Sequence, residues 1–162
     1  MAEIKTYGLK SVKSAAPETD GSMPDVLTEL CRTYRDSCEF IEEEPQITEE
    51  FCDQEDDPIA TFSVKGSKQV RFSTFDYSPE TLVKLKGGTI VDDVWAEPAT
   101  TPEIYQAVEI ETNTGLKFQF PKARVIARFN AQLRKNGLSL LEVTLRPVSP
   151  GAGLPTVLIA TE

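Results

Sequence analysis

Residues 104–120 read IYQAVEIETNTGLKFQF, two strand-like segments joined by a short turn. In the first segment Val108 and Ile110 alternate with Glu109 and Glu111, which is the period of a half-buried β-strand. The connecting Asn113-Thr114-Gly115 consists of turn-forming residues, and residues 116–120 resume a strand-like pattern. The sequence therefore predicts a β-hairpin with strands at residues 104–112 and 116–120.

The segment that follows this hairpin fits two periodicities. Val125, Ile126, Phe129 and Leu133 have helical spacing, whereas a strand over residues 125–133 would place every second residue on one face. Further along, residues 140–146 and 157–161 are predicted strands, separated by a turn region between Pro147 and Pro155.

Upstream, a short helix is predicted at Ser78–Lys86. Ser78 is a candidate N-cap, Pro79 occupies the first helical position, and Gly87 ends the pattern. The Gly87-Gly88 pair follows a helix rather than opening one and lacks a Lys-Ser/Thr sequence, so it predicts a helix C-cap and not a phosphate-binding loop. Residues 89–95 form the next predicted strand.

The N-terminal half predicts strands less clearly. Residues 60–65 and 68–74 flank Gly66-Ser67, a dipeptide typical of a two-residue hairpin. Residues 38–42 and 47–51 are candidate strands interrupted at Pro45, and residues 26–35 alternate weakly. We further expect a strand at residues 3–10 and a loop at residues 11–24.

About ten short strands with frequent turns and one helix are typical of a β-sandwich or β-barrel. A chain of 162 residues suffices for one domain with its own core. We therefore expect a single mainly-β domain over residues 1–162, flanked by the short helix, with loop-rich or extended segments at about 11–25 and 36–58.

Charge is distributed unevenly along this acidic chain, which has a net charge of −9. Residues 36–57 contain eleven acids and no base, whereas residues 121–162 contain six bases and two acids. Tight binding of nucleic acid needs a basic surface, so it is not expected here. The two segments are complementary either within one subunit or between neighbouring copies, and the sequence leaves both arrangements open.

The amino-acid composition disfavours several classes of function. Histidine is absent, which removes Ser-His-Asp and Cys-His catalysis and zinc sites with histidine ligands. Cys31, Cys38 and Cys52 fit neither a disulfide framework nor a CxxC metal site. No apolar run approaches ~20 residues, and the N-terminus lacks the apolar stretch of a signal peptide, so we expect synthesis in a cytoplasm and no membrane segment. We expect no enzyme activity, cofactor or metal.

A few residues admit a functional and a structural interpretation. Asp53, Glu55, Asp56 and Asp57 offer oxygen ligands for calcium, but they lack the EF-hand order, which favours a solvated acidic loop. Trp95 is either an exposed binding aromatic or, as we favour, a core or interface tryptophan. Arg124, Arg128 and Arg134 form a basic stripe if their segment is a strand, and such a stripe is usually solvated or at an interface.

The C-terminal half resembles the phage tail tube (major tail) protein family. The resemblance lies in the order and spacing of segments between Ser78 and Pro150: SPETL running to LKGGT at 78–89, VW at 94–95 with Pro98, IET-NTG at 110–115, FQFPKA at 118–123, and LSLLEVTLRP at 138–147. The family's pattern of a short helix, a hairpin and a returning strand also favours the strand interpretation of residues 125–133.

This resemblance implies a β-sandwich or β-barrel of the tail-tube type, six copies to a ring, and rings stacked into a tube in the virion tail. It implies contacts with tape-measure, tail terminator and baseplate proteins, and DNA that passes through the lumen without tight binding. It supplies no catalytic residues. An inner-tube protein of a contractile secretion or injection system is an alternative, as is a monomeric β-rich binding module. Candidate interface residues between subunits are Glu42, Glu43, Glu44, Trp95, Arg124 and Arg128.

Overall fold

The computed structural model describes residues 2–161, which form antiparallel strands and one short helix. The strands are β1 (Ser11–Ala15), β2 (Thr28–Glu29), β3 (Glu39–Glu42), β4 (Gln46–Glu50), β5 (Ala60–Val64), β6 (Lys68–Thr74), β7 (Thr89–Val91), β8 (Val94–Ala96), β9 (Ile104–Glu111), β10 (Lys117–Asn130), β11 (Leu140–Pro147) and β12 (Leu158–Ala160). Helix α1 (Pro79–Lys86) lies between β6 and β7.

Eight strands belong to one sheet. Its order is β2-β1-β9-β10-β11-β6-β3, and β12 pairs with the first residues of β10. The remaining strands form two separate two-stranded ribbons, β4-β5 and β7-β8. This arrangement confirms the expected mainly-β fold with one short helix.

The predicted hairpin at 104–120 is present as β9 and the start of β10. The ladder pairs Lys117 with Glu111 and Phe120 with Val108, then shifts by one residue before Ala123 pairs with Gln106. Pro121 lies at this β-bulge, where its missing N–H costs no ladder hydrogen bond. Beyond the bulge β10 continues as a strand to Asn130, so the strand interpretation of residues 125–133 is right up to that residue.

The sheet curls around its own core. Alternate residues Leu141, Val143 and Leu145 of β11 are at most 1% exposed, because they point to the inner face. Phe40 of the end strand β3 lies 5.3 Å, ring centroid to ring centroid, from Phe120 of the central strand β10. A flat sheet would hold strands three places apart at roughly 14 Å. The core is thus enclosed in the manner of a barrel.

Helix α1 covers one end of this core with Leu82 and Leu85. Its N-terminus differs in detail from the prediction, because the Ser78 side chain makes no capping bond to the backbone. Asp76 organises this turn instead. Its carboxylate accepts hydrogen bonds from the Ser78 N–H at 3.0 Å and from the Thr81 hydroxyl at 2.8 Å. Gly87 ends the helix with a φ of 76°, a conformation that favours glycine.

The hairpin predicted around Gly66-Ser67 is wrong. Strand β5 pairs with β4, and β6 pairs with β3 and β11. The chain passes through Gly66 without reversing, since β5 and β6 pair with different strands. A Cβ at this position would lie 1.9 Å from the Glu43 carbonyl oxygen. Glycine is therefore needed for close approach of two backbones, and not for a turn.

The N-terminal expectations are also wrong. Residues 3–10 contain no strand, whereas β1 lies inside the expected loop at 11–24 and pairs with β9 from Ser11↔Glu111 to Ala15↔Ala107. Val12 and Ser14 are buried by this pairing. The small polar residues of β1 resemble a loop in sequence, and a partner about a hundred residues away makes them a strand.

The strand predicted at 89–95 is instead a hairpin. Asp92 and Asp93 both have positive φ, 50° and 61°, as a type I′ turn between β7 and β8 requires. Aspartate tolerates this conformation better than most residues, which explains how a turn without glycine was overlooked.

Candidate assembly surfaces

A two-stranded arm leaves the sheet where β3 ends and β6 begins. We define the arm as residues 43–67, comprising β4, β5 and a tip at residues 51–59. The last pair of the sheet is Glu42↔Lys68, and the first pair of the arm is Gln46↔Val64. Between them the Glu43 N–H donates to the Ser67 carbonyl at 2.9 Å, so the arm is a continuation of the β3-β6 ladder.

Both faces of the arm carry exposed apolar side chains. Phe62 and Val64, two residues apart, share one face and are 60% and 65% exposed. Ile47 pairs with Ser63 on the other face and is 63% exposed. Phe51 and Ile59, the first and last residues of the tip, are also more than half exposed. A two-stranded ribbon alone is only marginally stable in water. A partner that covered the apolar side chains of this one would therefore stabilise it.

The tip of the arm is strongly acidic. The exposed carboxylates of the outer part of the arm are Glu49, Glu50, Asp53, Glu55, Asp56 and Asp57. Over residues 2–161 no group of three or more His, Cys, Asp or Glu side chains converges as a metal site would require. The arm thus combines apolar strands with a negatively charged end.

The opposite end of the sheet presents a second apolar surface. The loop between β10 and β11, residues 131–139, is called the distal loop. Its Leu133 is 92% exposed and its Leu138 is 60% exposed, and Arg134 and Lys135 lie between them. The sequence pattern favours a strand for Leu133 and marks neither leucine as a surface residue, so this surface is visible only in the structure.

The predicted interface acids lie at the base of the arm. Glu42, Glu43 and Glu44 are all exposed. Glu42 forms an ion pair with Lys68 at 3.4 Å. The acidic segment is thus in part neutralised within its own subunit.

The predicted interface arginines lie on the outer face of β10. Arg128 pairs with Glu142 across the β10-β11 ladder, and Asn130 donates to the same carboxylate at 2.8 Å. The Arg128 hydrogen bond is the main reason that the pKa of Glu142 lies below its ordinary value. Arg124 lies directly opposite Arg146. Because Arg124 faces a like charge and Arg128 faces a carboxylate, Arg124 is the more available of the two to bind an outside partner.

Trp95 is half-buried in the β7-β8 hairpin. Its indole Nε1 donates to the Gly87 carbonyl at 2.8 Å, and its ring meets Phe129 edge-on at 6.1 Å between centroids. These contacts fasten the hairpin to the helix C-terminus and to the end of β10. Trp95 therefore packs against the core, and Val91 and Val94 beside it are the more exposed side chains.

A cavity of about 700 Å³ opens between residues 33–40 and the β9-β10 turn. Its lining includes Arg35, Asp36, Cys38 and Asn113. Burial raises the pKa of Cys38 to about 11 and that of Cys31 to about 12. Both thiols therefore stay protonated at neutral pH, which disfavours nucleophilic chemistry at Cys38 in this cavity and at Cys31 outside it.

Comparisons with known proteins do not indicate a function, so the surfaces described above are the main guide to it. No protein-family model matches the sequence, and no curated protein matches it. Within residues 2–161 there is no helix long and apolar enough to cross a bilayer.

Proposed function

We propose that this chain is a structural subunit of a phage-type tail tube, which assembles with copies of itself into stacked rings around a DNA conduit. The observation that carries the proposal is the arm, a two-stranded ribbon with exposed apolar side chains on both faces. Such a ribbon is better suited to burial between neighbouring molecules than to a monomer in water.

The distribution of surfaces also supports assembly. The arm and the distal loop lie at opposite ends of the sheet, so a contact between unlike ends leaves one free end of each kind. Contacts of this heterologous type produce closed rings or open-ended stacks, whereas contacts between like surfaces stop at a dimer.

The net charge of −9 is compatible with a DNA conduit. Phosphate contacts with basic side chains add affinity, and a passage that bound DNA tightly would retain it. An acidic subunit favours passage over retention. Tape-measure, tail terminator and baseplate proteins are the proposed partners at the tube ends.

Electron microscopy and sedimentation of the purified chain test this function. We expect rings, most of them sixfold, or tubes, with monomer giving way to assembly as concentration rises. A chain that stays monomeric at ~100 μM would contradict the proposal, because interfaces of standard size associate well below that concentration. DNA should leave the sedimentation profile unchanged at physiological salt.

A further inference from the structure

The two ends of the sheet are defined by three long strands. Along the β11-β6 ladder Leu145 pairs with Val70 near the arm, and Leu141 pairs with Thr74 at the far end. Along β10 the last pair at that far end is Asn130↔Leu140, where the distal loop begins. The eight residues of β11 therefore separate the arm from the distal loop by roughly 25 Å.

The two ends have matching chemistry. The arm offers apolar side chains with an acidic tip, and the distal loop offers Leu133 and Leu138 with two cations between them. Among the described residues no carboxylate forms an ion pair with Arg134 or Lys135. The charges on the loop are thus available to a second molecule. The turn between β7 and β8 carries two acids, Asp92 and Asp93. These acids would repel an acidic tip that approached the turn.

We propose that the arm of one copy binds the distal loop of a second copy, and that this contact stacks subunits head to tail. The proposal rests on the proposed function and specifies its axial contact. Apolar side chains of the arm cover Leu133 and Leu138, which supplies most of the affinity. The acidic tip meets Arg134 and Lys135, which sets direction and register, since solvated ion pairs steer association more than they strengthen it.

The unlike ends make the contact testable by mixing two blocked variants. The arm-blocked variant carries Ile47→Ser and Phe62→Ser, one change on each face of the ribbon. The loop-blocked variant carries Leu133→Ser and Leu138→Ser. We expect each alone to need at least about 100-fold more protein to stack, because two buried apolar side chains are lost from the contact.

In a mixture the intact arm of the loop-blocked variant can bind the intact loop of the arm-blocked variant. We therefore expect growth by one layer and no further, seen as a discrete step in sedimentation and as double-layer particles in micrographs. Val26→Ser is the matched control, because Val26 is 78% exposed and lies outside both surfaces. That variant should stack as the unmodified chain does.

A second pair of variants tests the charges and does not depend on apolar changes. Arg134→Glu with Lys135→Glu should slow stacking about tenfold at low salt and lose this effect at 1 M salt, where the Debye length is ~3 Å. Adding Asp53→Lys and Glu55→Lys should restore the rate. Lys5→Glu, an exposed reversal elsewhere, is the control.

The outcomes separate this inference from the function it rests on. If both loop variants stack like the unmodified chain while the arm-blocked variant does not, the arm binds another surface and this inference is wrong, although the proposed function stands. Growth of the mixture beyond one layer would equally overturn it. If the unmodified chain never associates, the proposed function itself fails. Circular dichroism confirms that each variant is folded before it is compared.

Discussion

Strands β5 and β6 are consecutive in the chain and similar in sequence, yet they have opposite surroundings. Phe62 and Val64 alternate along β5, as Val70 and Phe72 do along β6. Phe72 is 2% exposed and Phe62 is 60% exposed. The difference shows that a period of two predicts a strand but does not say what covers its apolar face: in β6 it is this chain's own core, and in β5 we propose that it is another copy.

Truncating Phe72 and Phe62 in turn tests this difference between the two strands. Phe72→Ala should lower the free energy of unfolding by ~3–5 kcal/mol, because it empties a closed core. Phe62→Ala should change the stability of the monomer by less than ~0.5 kcal/mol, because its ring is mostly in water already. Chemical denaturation at a concentration below assembly measures both values.

The same pair of variants should reverse their order in an assembly assay. At concentrations where both are folded, Phe62→Ala should weaken association more than Phe72→Ala does. Equal destabilisation of the monomer by both changes would mean that the arm packs on its own subunit, as β6 does.

A smaller effect is expected at the junction between the two regions. Gly66→Ala places a Cβ 1.9 Å from the Glu43 carbonyl oxygen, so the arm must shift away from the sheet. We expect a loss of ~1–3 kcal/mol. Hydrogen exchange should speed up at the Glu43 N–H, which bonds to Ser67, while the amides of β11 stay protected.

Gly151→Ala is the control for this change, since the nearest atom there is the end of the flexible Leu154 side chain at 3.0 Å. Faster exchange throughout β11 in the Gly66→Ala protein would show that arm and sheet unfold as one unit.

The smallest effect concerns a part of the fold far from the arm. Partial burial raises the pKa of Asp76, but hydrogen bonds from Ser78 and Thr81 outweigh it and hold this pKa below its ordinary value of 3.8. The ionised carboxylate therefore stabilises the folded state above about pH 4, and this contribution is lost as the pH falls through the lowered pKa. Asp76→Asn should cost ~1 kcal/mol at pH 7 and less at pH 2, where the carboxylate is protonated to a greater extent.

Thermal melting at the two pH values measures this difference, with the exposed Asp25→Asn as its control. A penalty that persists undiminished at acid pH would show that the Asp76 charge is not its source.

Local patterns predicted the C-terminal half of the fold well. The alternation in β9 and β11 and the signals at Pro79 and Gly87 are properties of neighbouring residues, and they located the hairpin, the helix and the returning strand. Most of the failures are pairings between distant segments, whereas the missed β7-β8 hairpin is local and has a turn without glycine. Nothing near Ser11–Ala15 indicates that its partner is β9, and Gly66 is required by a backbone contact with Glu43 that is visible only in three dimensions.

The candidate surfaces were predicted less well than the fold. Sequence reasoning selected charges such as Glu42 and Arg128, and the structure gives both of these a partner within the subunit. Their role between subunits stays a prediction. The apolar residues Ile47, Phe62 and Leu133 were missed as surface residues, because an apolar side chain in a strand pattern is assigned to the core by default. For Ile47 a signal was present in the dense acidic sequence around it, which leaves few apolar neighbours to form a core.

The strand order also has a consequence for how the chain is made. Strand β6 pairs with β11, which the ribosome adds about seventy residues later, and β3 depends on β6. The arm is therefore synthesised long before the sheet that anchors it is complete. During that interval Ile47 and Phe62 belong to an exposed ribbon without its anchoring sheet, and such a ribbon is prone to aggregate. The acids of the tip flank both strands of this ribbon, and charged neighbours of an apolar strand act as gatekeepers against aggregation.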